Sequence, residues 1–342
     1  MSSDKLSRWY KHILSGFTST SVQRRLREND ISVIEHGLPK KIRVPILEIE
    51  NIGQHMAIDE KNIANNIFTI LTNRETGKIA MLANSLKSRE LVQVLGKLQK
   101  TTYKVKSITR DLSNSYDWVA RQIFPNASQI ADKFHIIKHI LEAMQAVRVR
   151  YRQGILRDKR LKQEEHKYQE QEKKVQAKEQ GIVYTKKAFK YKTKYANNGE
   201  SYSELLSRSR HLLFKTPDKW SKTQKERSQA LFSVFPEIKH AYDLSNKFRN
   251  WFIKQNIGLS KELIRNKLKE WYKNVKLYQV EEMLNAKATI ERNEGIIINY
   301  FENGATNAIA ENVNSRIQRF FNINNGTNDT EFFFFRIKNF FT

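Results

Sequence analysis

Acidic residues at the ends of apolar stretches are the candidates for chemistry in this sequence. Asp59 and Glu60 follow His55 to Ile58, a short stretch predicted to form a buried strand, and Asp111 follows a second apolar stretch. Carboxylate oxygens are the ligands that hard divalent cations prefer in proteins. Taken alone, an Asp at a strand end more often begins a turn or caps a helix. The pattern therefore indicates metal-dependent chemistry only if the fold brings such acids together.

The region around these acids predicts a mixed sheet. Three apolar stretches predict an antiparallel meander, with a turn at Arg74 to Gly77 between the second and the third. Helices and strands then alternate in the order β-β-β-α-β-α-β, which is the plan of a ribonuclease-H-like domain. We expect an α/β (α+β) fold whose ribonuclease-H-like mixed five-stranded sheet is interrupted by a large all-helical insertion. The predicted strands are 54–60, 66–72, 78–83, 104–109 and 127–131, and the predicted helices begin at Ser88 and Tyr116.

This plan places two carboxylates side by side. The first and fourth strands are neighbours in it, so Asp59 and Asp111 lie at equivalent strand ends. Two carboxylates held together repel unless a cation or proton intervenes, and two divalent cations about 3.5–4 Å apart are the usual device for phosphodiester displacement. A third carboxylate generally completes such a site. Glu311 is the candidate, because it shares a helix face with Asn314 and Gln318; the alternative is an ordinary exposed glutamate.

The net charge indicates a polyanionic partner. The 342 residues contain 61 Lys and Arg against 36 Asp and Glu, a formal net charge of +25. Such an excess favours nucleic acid, because neutralising phosphates releases counterions; the alternative is a solvated basic surface. There are no cysteines, which excludes disulfides and a cysteine-based zinc finger. No apolar run is long enough for a membrane span and no signal peptide is evident, so we expect a soluble protein without a membrane partner.

The sequence suggests four segments. Residues 1–50 are predicted as an N-terminal helical arm, 51–135 as the first part of the ribonuclease-H-like core, 136–304 as an all-helical insertion and 305–342 as the last helices of the core. The tail from Glu331 to Phe341 is too aromatic to be free in solvent. We expect it to dock on the domain that carries the acids or on another subunit.

Basic residues interleaved with aromatic ones mark a candidate DNA contact within the insertion. Lysines alternate there with Phe189 and Tyr191, and this mixture suits contact with a nucleic-acid backbone and stacking on bases. Plain surface is the alternative. The candidate DNA-binding residues, including two on the helix after the insertion, are Lys186, Lys187, Lys190, Lys192, Arg316 and Arg319.

Four motifs together resemble the DDE transposases of bacterial insertion sequences, most closely the ISL-three type. They are IDE at 58–60, ITRDLSNSY at 108–116, FPNASQIADKFH at 124–135 and ATNAIAENVNSRIQRFFNINNG at 305–326. The resemblance covers about residues 50–342 and keeps the motifs in the family's order, separated by a helical insertion. It implies that Asp59, Asp111 and Glu311 are the catalytic acids and metal ligands, with Asn314 in a supporting role.

The resemblance also implies a reaction and its requirements. The triad would bind two Mg²⁺ ions, with Mn²⁺ as a substitute. Water would cleave the phosphodiester at a transposon end, and the 3′-hydroxyl so freed would attack target DNA. The implied partners are transposon-end and target double-stranded DNA and a second protomer, in the cytoplasm of a bacterium near the nucleoid. Two alternatives stay open: a non-catalytic DNA-binding protein domesticated from a transposase, and a ribonuclease-H-like nuclease that cuts without joining.

Three further features bear on the acids and on DNA recognition. Asp132 and His135 match a D-x-x-H element that supports the site or positions DNA in related transposases, although Asp132 is equally well explained as a helix N-cap. Arg110, directly before Asp111, either lowers the pKa of that aspartate or pairs with a phosphate. Relatives often carry an N-terminal cysteine-rich zinc module and a helix-turn-helix. Because this sequence lacks cysteine, we expect that end recognition is missing or comes from a separate helix-turn-helix partner protein.

Overall fold

The computed structural model describes residues 3–63, 65–304, 307–323 and 329–342. The chain divides into two compact units. Unit 1 takes in residues 1–136, 254–264 and 293–342, and unit 2 takes in 137–253 and 265–292. All the candidate acids belong to unit 1, because residues from both ends of the sequence join in it. Among the described residues, no helix has the length and the apolar composition that crossing a membrane requires.

A mixed six-stranded sheet forms the centre of unit 1. Its strand order is β3-β6-β5-β4-β7-β8. The pairs β3–β6, β6–β5 and β5–β4 are antiparallel, whereas β4–β7 and β7–β8 are parallel. The strands are β3 (Ile46–Leu47), β4 (His55–Ile63), β5 (Asn66–Asn73), β6 (Ile79–Ala83), β7 (Ser107–Arg110) and β8 (Ser128–Ala131), and a separate hairpin comprises β1 (Ile31–Glu35) and β2 (Leu38–Ile42).

The mixed α/β fold and the predicted order of elements from β4 to β8 are confirmed. The number of strands was wrong: the sheet has six strands and not five. The additional strand, β3, pairs with β6 through only Ile46 and Leu47, and two residues are too few to produce an alternating pattern. β4 also continues through Asp59 and Glu60 to Ile63, because it stays paired with β5 along its whole length.

Two hydrophobic clusters cover the two faces of the sheet. On one face, Met56, Ile58 and Ile108 are buried against residues of α3 and α5. On the other, Ile63, Phe68 and Ile70 are buried against residues of α15 and α16. Alternate residues of a strand point to opposite faces, so apolar residues at successive positions require cover on both sides. The relevant helices are α3 (Ser88–Gly96), α5 (Asn114–Ile123), α15 (Ala308–Ile323) and α16 (Thr330–Phe341).

Helices make up most of the rest of the described structure. Long helix α6 (Lys133–Glu179) begins in unit 1 and continues into unit 2, and so does α11 (Lys261–Tyr278). In unit 2, Trp271 is buried and its indole N–H donates to the carbonyl of Leu244 at 2.9 Å. The other helices are α1 (Ser3–Trp9), α2 (Thr20–Arg25), α4 (Gln99–Thr102), α7 (Tyr202–Arg208), α8 (Arg210–Leu213), α9 (Lys222–Val234), α10 (Pro236–Trp251), α12 (Glu281–Arg292), α13 (Glu294–Ile298) and α14 (Tyr300–Asn303), with short π or 3₁₀ turns at Tyr10–Leu14, Ile49–Asn51, Pro217–Lys219 and Lys254–Asn256.

The predicted segments need two corrections. The N-terminal arm is helical only in its first half, because residues 31–42 form the β1–β2 hairpin around His36 and Gly37, which both have positive φ angles. The insertion is not helical throughout, since residues 182–194 contain no helix. The compact units also divide it differently from the predicted boundaries at 136 and 304, because residues 254–264 and 293–304 group with the sheet.

The aromatic C-terminal helix α16 docks on the sheet of its own chain. Phe333, Phe334 and Ile337 are buried in the cluster that covers one sheet face. Charged groups fix the ends of the helix: the Arg43 guanidinium bonds the carboxylate of Glu331, and the Lys338 ammonium lies 2.6 Å from a carboxylate oxygen of Glu48. Of the two predicted docking sites for the tail, the structure therefore shows docking on the domain that carries the acids.

Replacing Ile337 with alanine should destabilise unit 1. Its side chain is 0% exposed, and a large-to-small change in a packed core typically costs about 2–5 kcal/mol because a cavity remains. Phe340→Ala is a matched control on the same helix, since Phe340 is 60% exposed; it should cost about 1 kcal/mol or less. Urea unfolding followed by circular dichroism measures both. Equal losses in the two variants would contradict the docking of α16.

Candidate active site

Parallel pairing puts three aspartates at one level of the sheet. Ala57 of β4 pairs with Thr109 of β7, and Arg110 of β7 pairs with Ala131 of β8. Asp59 is two residues after Ala57 and Asp111 is two after Thr109, while Asp132 directly follows Ala131. Since side chains alternate along a strand, all three aspartates fall in register on neighbouring strands. The predicted neighbours, Asp59 and Asp111, are thus joined by Asp132.

The carboxylate of Asp59 is held from several sides. The side-chain amide of Asn314, on α15, donates to Asp59 Oδ2 at 2.8 Å, and the backbone N–H of Glu60 donates to Oδ1 at 2.8 Å. The ring nitrogen Nε2 of His135 lies 3.8 Å from Oδ1. A residue 255 positions later in the sequence therefore fixes the orientation of the first aspartate.

Asp132 caps a helix and also contacts two other polar side chains. Its Oδ1 accepts the backbone N–H of Phe134 at 3.1 Å, so it caps the start of α6. Its Oδ2 accepts from the side-chain amide of Asn307 at 3.3 Å and lies 3.7 Å from His135 Nε2. The side chain is only 2% exposed. His135 thus lies between the carboxylates of Asp59 and Asp132, on the first turn of α6.

Asp111 and Arg110 point to different surroundings. Asp111 Oδ1 accepts the backbone N–H of Ser113 at 2.8 Å, just before α5. The buried guanidinium of Arg110 donates to Asp117 at 2.6 Å and to Gln129 at 2.7 Å, and it is 2% exposed. Arg110 therefore anchors α5 to the sheet. Its burial removes it from the reach of a phosphate.

Glu311 faces the aspartates from α15. Asn307, Glu311 and Asn314 are spaced at i, i+4 and i+7, which places them on one face of the helix. Asn307 contacts Asp132, and Asn314 contacts Asp59. Glu311 therefore lies between two residues that each bond an aspartate of the sheet. The structure thus brings the predicted third acid to the same edge of the sheet.

Burial and mutual repulsion disfavour the ionised forms of three carboxyl groups. Burial raises the pKa of Asp59, and the nearby charges of Asp132 and Asp111 raise it further, although the Glu60 N–H and His135 oppose them. Burial likewise raises the pKa of Asp132. The pKa of Glu311 is raised by burial and by the charges of Asp132 and Asp59. Groups that repel in this way are stabilised by a cation placed between them.

The donor set fits a hard divalent cation in its chemistry. It supplies carboxylate oxygens from within β4, from just after β7 and β8, and from a facing helix, and this is the ligand type that Mg²⁺ and Mn²⁺ take. The Oδ1 atoms of Asn307 and Asn314 are buried, and no hydrogen-bond partner for them occurs among the described residues. In the side-chain conformations present, no group of three His, Asp or Glu residues within the described ranges is tight enough to hold an ion. The acids therefore lie at the same edge of the sheet, but in these side-chain conformations they are too far apart to hold one ion together.

Sequence reasoning missed Asn307 as a site residue. It lies in the stretch 305–326 that carries the last motif, and its spacing of four residues from Glu311 was the signal that would have found it. The candidate DNA-binding lysines 186, 187, 190 and 192 are all exposed. Arg319 lines a shallow surface cavity of about 500 Å³ with Ser315, Gln318 and Asn322, and the guanidinium of Arg316 stacks on Phe341 at 4.8 Å from the ring centre.

Replacing Glu311 with glutamine should stabilise the metal-free protein at neutral pH. A carboxyl group whose folded-state pKa is raised binds more protons in the folded state, so its contribution to stability falls as pH rises through that range. Glutamine removes the charge that Asp59 and Asp132 repel. The gain at pH 7 should be roughly 0.5–1 kcal/mol, reduced by the partial exposure of the side chain, and should disappear below about pH 4, where the unfolded chain is also protonated.

Urea unfolding in EDTA across pH 4–8 measures this difference. The control is Glu172→Gln, which removes the same charge from an exposed position on α6 and should change stability little at any pH. A loss of stability in Glu311→Gln at neutral pH would contradict the repulsion described for this site.

Comparison with known protein families supports the motif analysis. The model of a family described as Transposase, DDE_Tnp_ISL3, matches residues 56–337, which is the greater part of the chain and includes every acid of the site. Searches of curated proteins and of solved structures find no significant match.

Proposed function

The chain belongs to the ISL3-type DDE transposase family, and from this premise we propose that it cleaves DNA at the ends of an insertion sequence and joins those ends to target DNA. The observation that carries the proposal is the alignment of Asp59, Asp111 and Asp132 on neighbouring parallel strands, with Glu311 on the helix that faces them. Metal-dependent phosphodiester displacement requires such a gathering of carboxylates.

Asp59, Asp111 and Glu311 are the proposed ligands of two Mg²⁺ ions, for which Mn²⁺ would substitute. When bound, these ions supply the positive charge that stabilises the attacking and leaving oxygens. The protein's own contribution is orientation: Asn314 holds Asp59, and Ser113 N–H holds one oxygen of Asp111. Cleavage by water and attack of the freed 3′-hydroxyl on target DNA would take place in the same site. Because water and this hydroxyl are the attacking groups, no covalent bond between protein and DNA is needed.

A basic arm in unit 2 is the proposed contact with the DNA backbone. We define the basic arm as residues 155–194, which carry thirteen Lys and Arg against six Asp and Glu. Its second part, residues 182–194, runs back along α6 without regular secondary structure. Tyr184 donates to Glu170 at 2.7 Å and Tyr191 donates to Asp158 at 2.7 Å, so this return is antiparallel to the helix.

The hydrogen bonds that hold the basic arm together leave its lysines exposed to solvent. Tyr184, Phe189 and Tyr191 turn inward and are half-buried, while the lysines between them are exposed. Lysines of the helical part and of the returning part of the arm, including Lys174 and Lys186, also line a cleft of about 830 Å³. Exposed positive charges at this density attract a phosphate backbone without reading its sequence. On this proposal the basic arm supplies affinity, with Arg316 and Arg319 contributing from α15.

The other partners follow from the proposed reaction. Two transposon ends must be joined to one target, so two protomers are expected to act together, one per end. Because the basic arm reads charge, recognition of the terminal repeats is assigned to a separate helix-turn-helix protein. The proposed setting is the DNA of a bacterial cytoplasm.

Removing a proposed metal ligand should abolish cleavage and leave DNA binding intact. In Asp59→Ala, Asp111→Ala and Glu311→Ala, Mg²⁺-dependent cleavage of a fragment carrying the element's inverted repeats should fall by more than about 100-fold, a larger loss than removing a residue that only supports a ligand. Gel electrophoresis of end-labelled DNA measures cleavage and joining, and a mobility shift measures binding. Glu226→Ala, which removes an exposed glutamate on α9 outside the basic arm, should change neither.

The products separate the alternatives. Joined products with target DNA support a transposase, whereas cleavage without joining supports a nuclease of the same fold. Binding by the wild-type protein with no cleavage in Mg²⁺ or Mn²⁺ would leave a non-catalytic DNA-binding protein and overturn the proposal.

Four lysines of the basic arm should account for part of the salt dependence of DNA binding. Each phosphate that the protein no longer neutralises lowers the slope of log affinity against log salt by about 1, so replacing Lys186, Lys187, Lys190 and Lys192 with alanine should lower it by up to about 4. Lys215, Lys219, Lys222 and Lys225, also exposed, form the charge-matched control. Fluorescence anisotropy between about 50 and 200 mM salt measures both variants. Equal slopes in them would show that net charge alone, and not the arm, binds DNA.

A further inference from the structure

Two asparagine amides connect α15 and the residue before it to two aspartates of the sheet. Asn314 Nδ2 donates to Asp59 Oδ2 at 2.8 Å, and Asn307 Nδ2 donates to Asp132 Oδ2 at 3.3 Å. The amides are separated by two helical turns and lie on the face that carries Glu311. One helix therefore controls the orientation of two carboxylates that belong to different strands.

The geometry of Asn307 is unusual for its position. Its backbone carbonyl accepts the N–H of Glu311 at 2.7 Å, which makes it the residue before the first turn of α15. An asparagine there normally turns its side-chain oxygen to accept a free N–H of the helix. Asn307 is 1% exposed, yet its Oδ1 has no partner among the described residues. The side chain forgoes the usual cap, and its amide donates to Asp132.

Asn314 repeats this arrangement at the other carboxylate. Its Oδ1 is also buried without a partner in the described part of the chain. Buried polar atoms are nearly always hydrogen-bonded, so each exception requires a reason. Here the reason is the carboxylate, because turning either amide over would break the bond that its nitrogen donates and set its oxygen against a negative charge. The donated hydrogen bond to the acid fixes each amide.

We propose that Asn307 and Asn314 are a pair of positioning residues, which hold the carboxylates of Asp132 and Asp59 toward Glu311. Asp132 then takes part in the acidic centre together with the other acids. This inference rests on the proposed function. Asp132 is then more than the cap of α6, because its second oxygen is held by a residue from the opposite end of the sequence. The pair acts through the acids and touches neither DNA nor the reacting atoms.

The test compares three amide deletions on one helix. Asn307→Ala and Asn314→Ala remove the proposed positioning groups, while Gln318→Ala removes an amide whose described bond goes only to Asn322. Thermal unfolding of the full chain is followed during titration with MgCl₂ or MnCl₂ alone. Removing a group that orients a ligand typically weakens metal binding 10- to 100-fold, so the cation concentration for half-maximal stabilisation should rise by about 10-fold or more in the asparagine variants and stay unchanged in Gln318→Ala. Cleavage lost at low Mg²⁺ should return at high Mg²⁺.

A second measurement removes the cation altogether. In EDTA, the urea midpoints of Asn314→Ala, Asp59→Asn and the double variant should be non-additive, because the two side chains share a bond. Asn307→Ala with Asp132→Asn should behave in the same way, and the pairing of Gln318→Ala with Asp59→Asn should be additive. If an alanine variant fails to fold, Asn307→Ser and Asn314→Ser give the same comparison, because serine is polar but its shorter side chain lacks the amide that donates to the aspartate.

The outcomes separate this inference from the proposed function. A wild-type protein that responds to Mg²⁺ and cleaves DNA, with asparagine variants that match Gln318→Ala, overturns the positioning role alone. A wild-type protein with no cation response and no cleavage overturns the proposed function, and the positioning role with it; coupling in EDTA would then assign the amides to folding. Raised cation midpoints together with non-additive urea midpoints support the pair.

Discussion

The parallel pairing of β4, β7 and β8 is the constraint on which the site depends. Parallel strands present equivalent ends to the same edge of a sheet, and the register sets Asp59, Asp111 and Asp132 at one level. The three acids come from positions far apart in sequence, and without this pairing they would be unrelated surface residues. Burial in the fold raises the pKa of both Asp59 and Asp132, and the charges of neighbouring acids raise it further.

Much of the sheet was predictable because its signals are local. The alternation in β4 and the turn between β5 and β6 come from neighbouring residues, and the order of elements from β4 to β8 then fixes which strands can be parallel. Prediction was poorer where a partner distant in sequence decides the structure. β3 is a strand only because Ile46 and Leu47 meet β6, and the β1–β2 hairpin was hidden in a segment whose first half is helical.

The same distinction applies to the site. Asp59 and Asp111 were predicted because each follows an apolar stretch, and Glu311 because of its place on an amphipathic helix. The environment of Arg110 could not be predicted, because only the folded chain shows that its guanidinium donates to the side chains of Asp117 and Gln129. Asn307 was missed for a similar reason. Its contact with Asp132 spans 175 residues, and an asparagine before a helix has a sufficient local explanation as a cap.

Close packing and basic charge are found in different parts of the chain. The acids lie on or next to strands and helices that are packed on both sheet faces. This suits their proposed role, since metal ligands must be held within narrow limits to be useful. The basic arm, in contrast, has few buried apolar residues and depends on hydrogen bonds such as those from Tyr184 and Tyr191. Contacts of that kind are individually weak in water, and backbone charge needs no fixed geometry to be recognised. The packed sheet and the basic arm, which is held mainly by hydrogen bonds, thus match the two different requirements of the proposed function: fixed metal ligands and contact with a phosphate backbone.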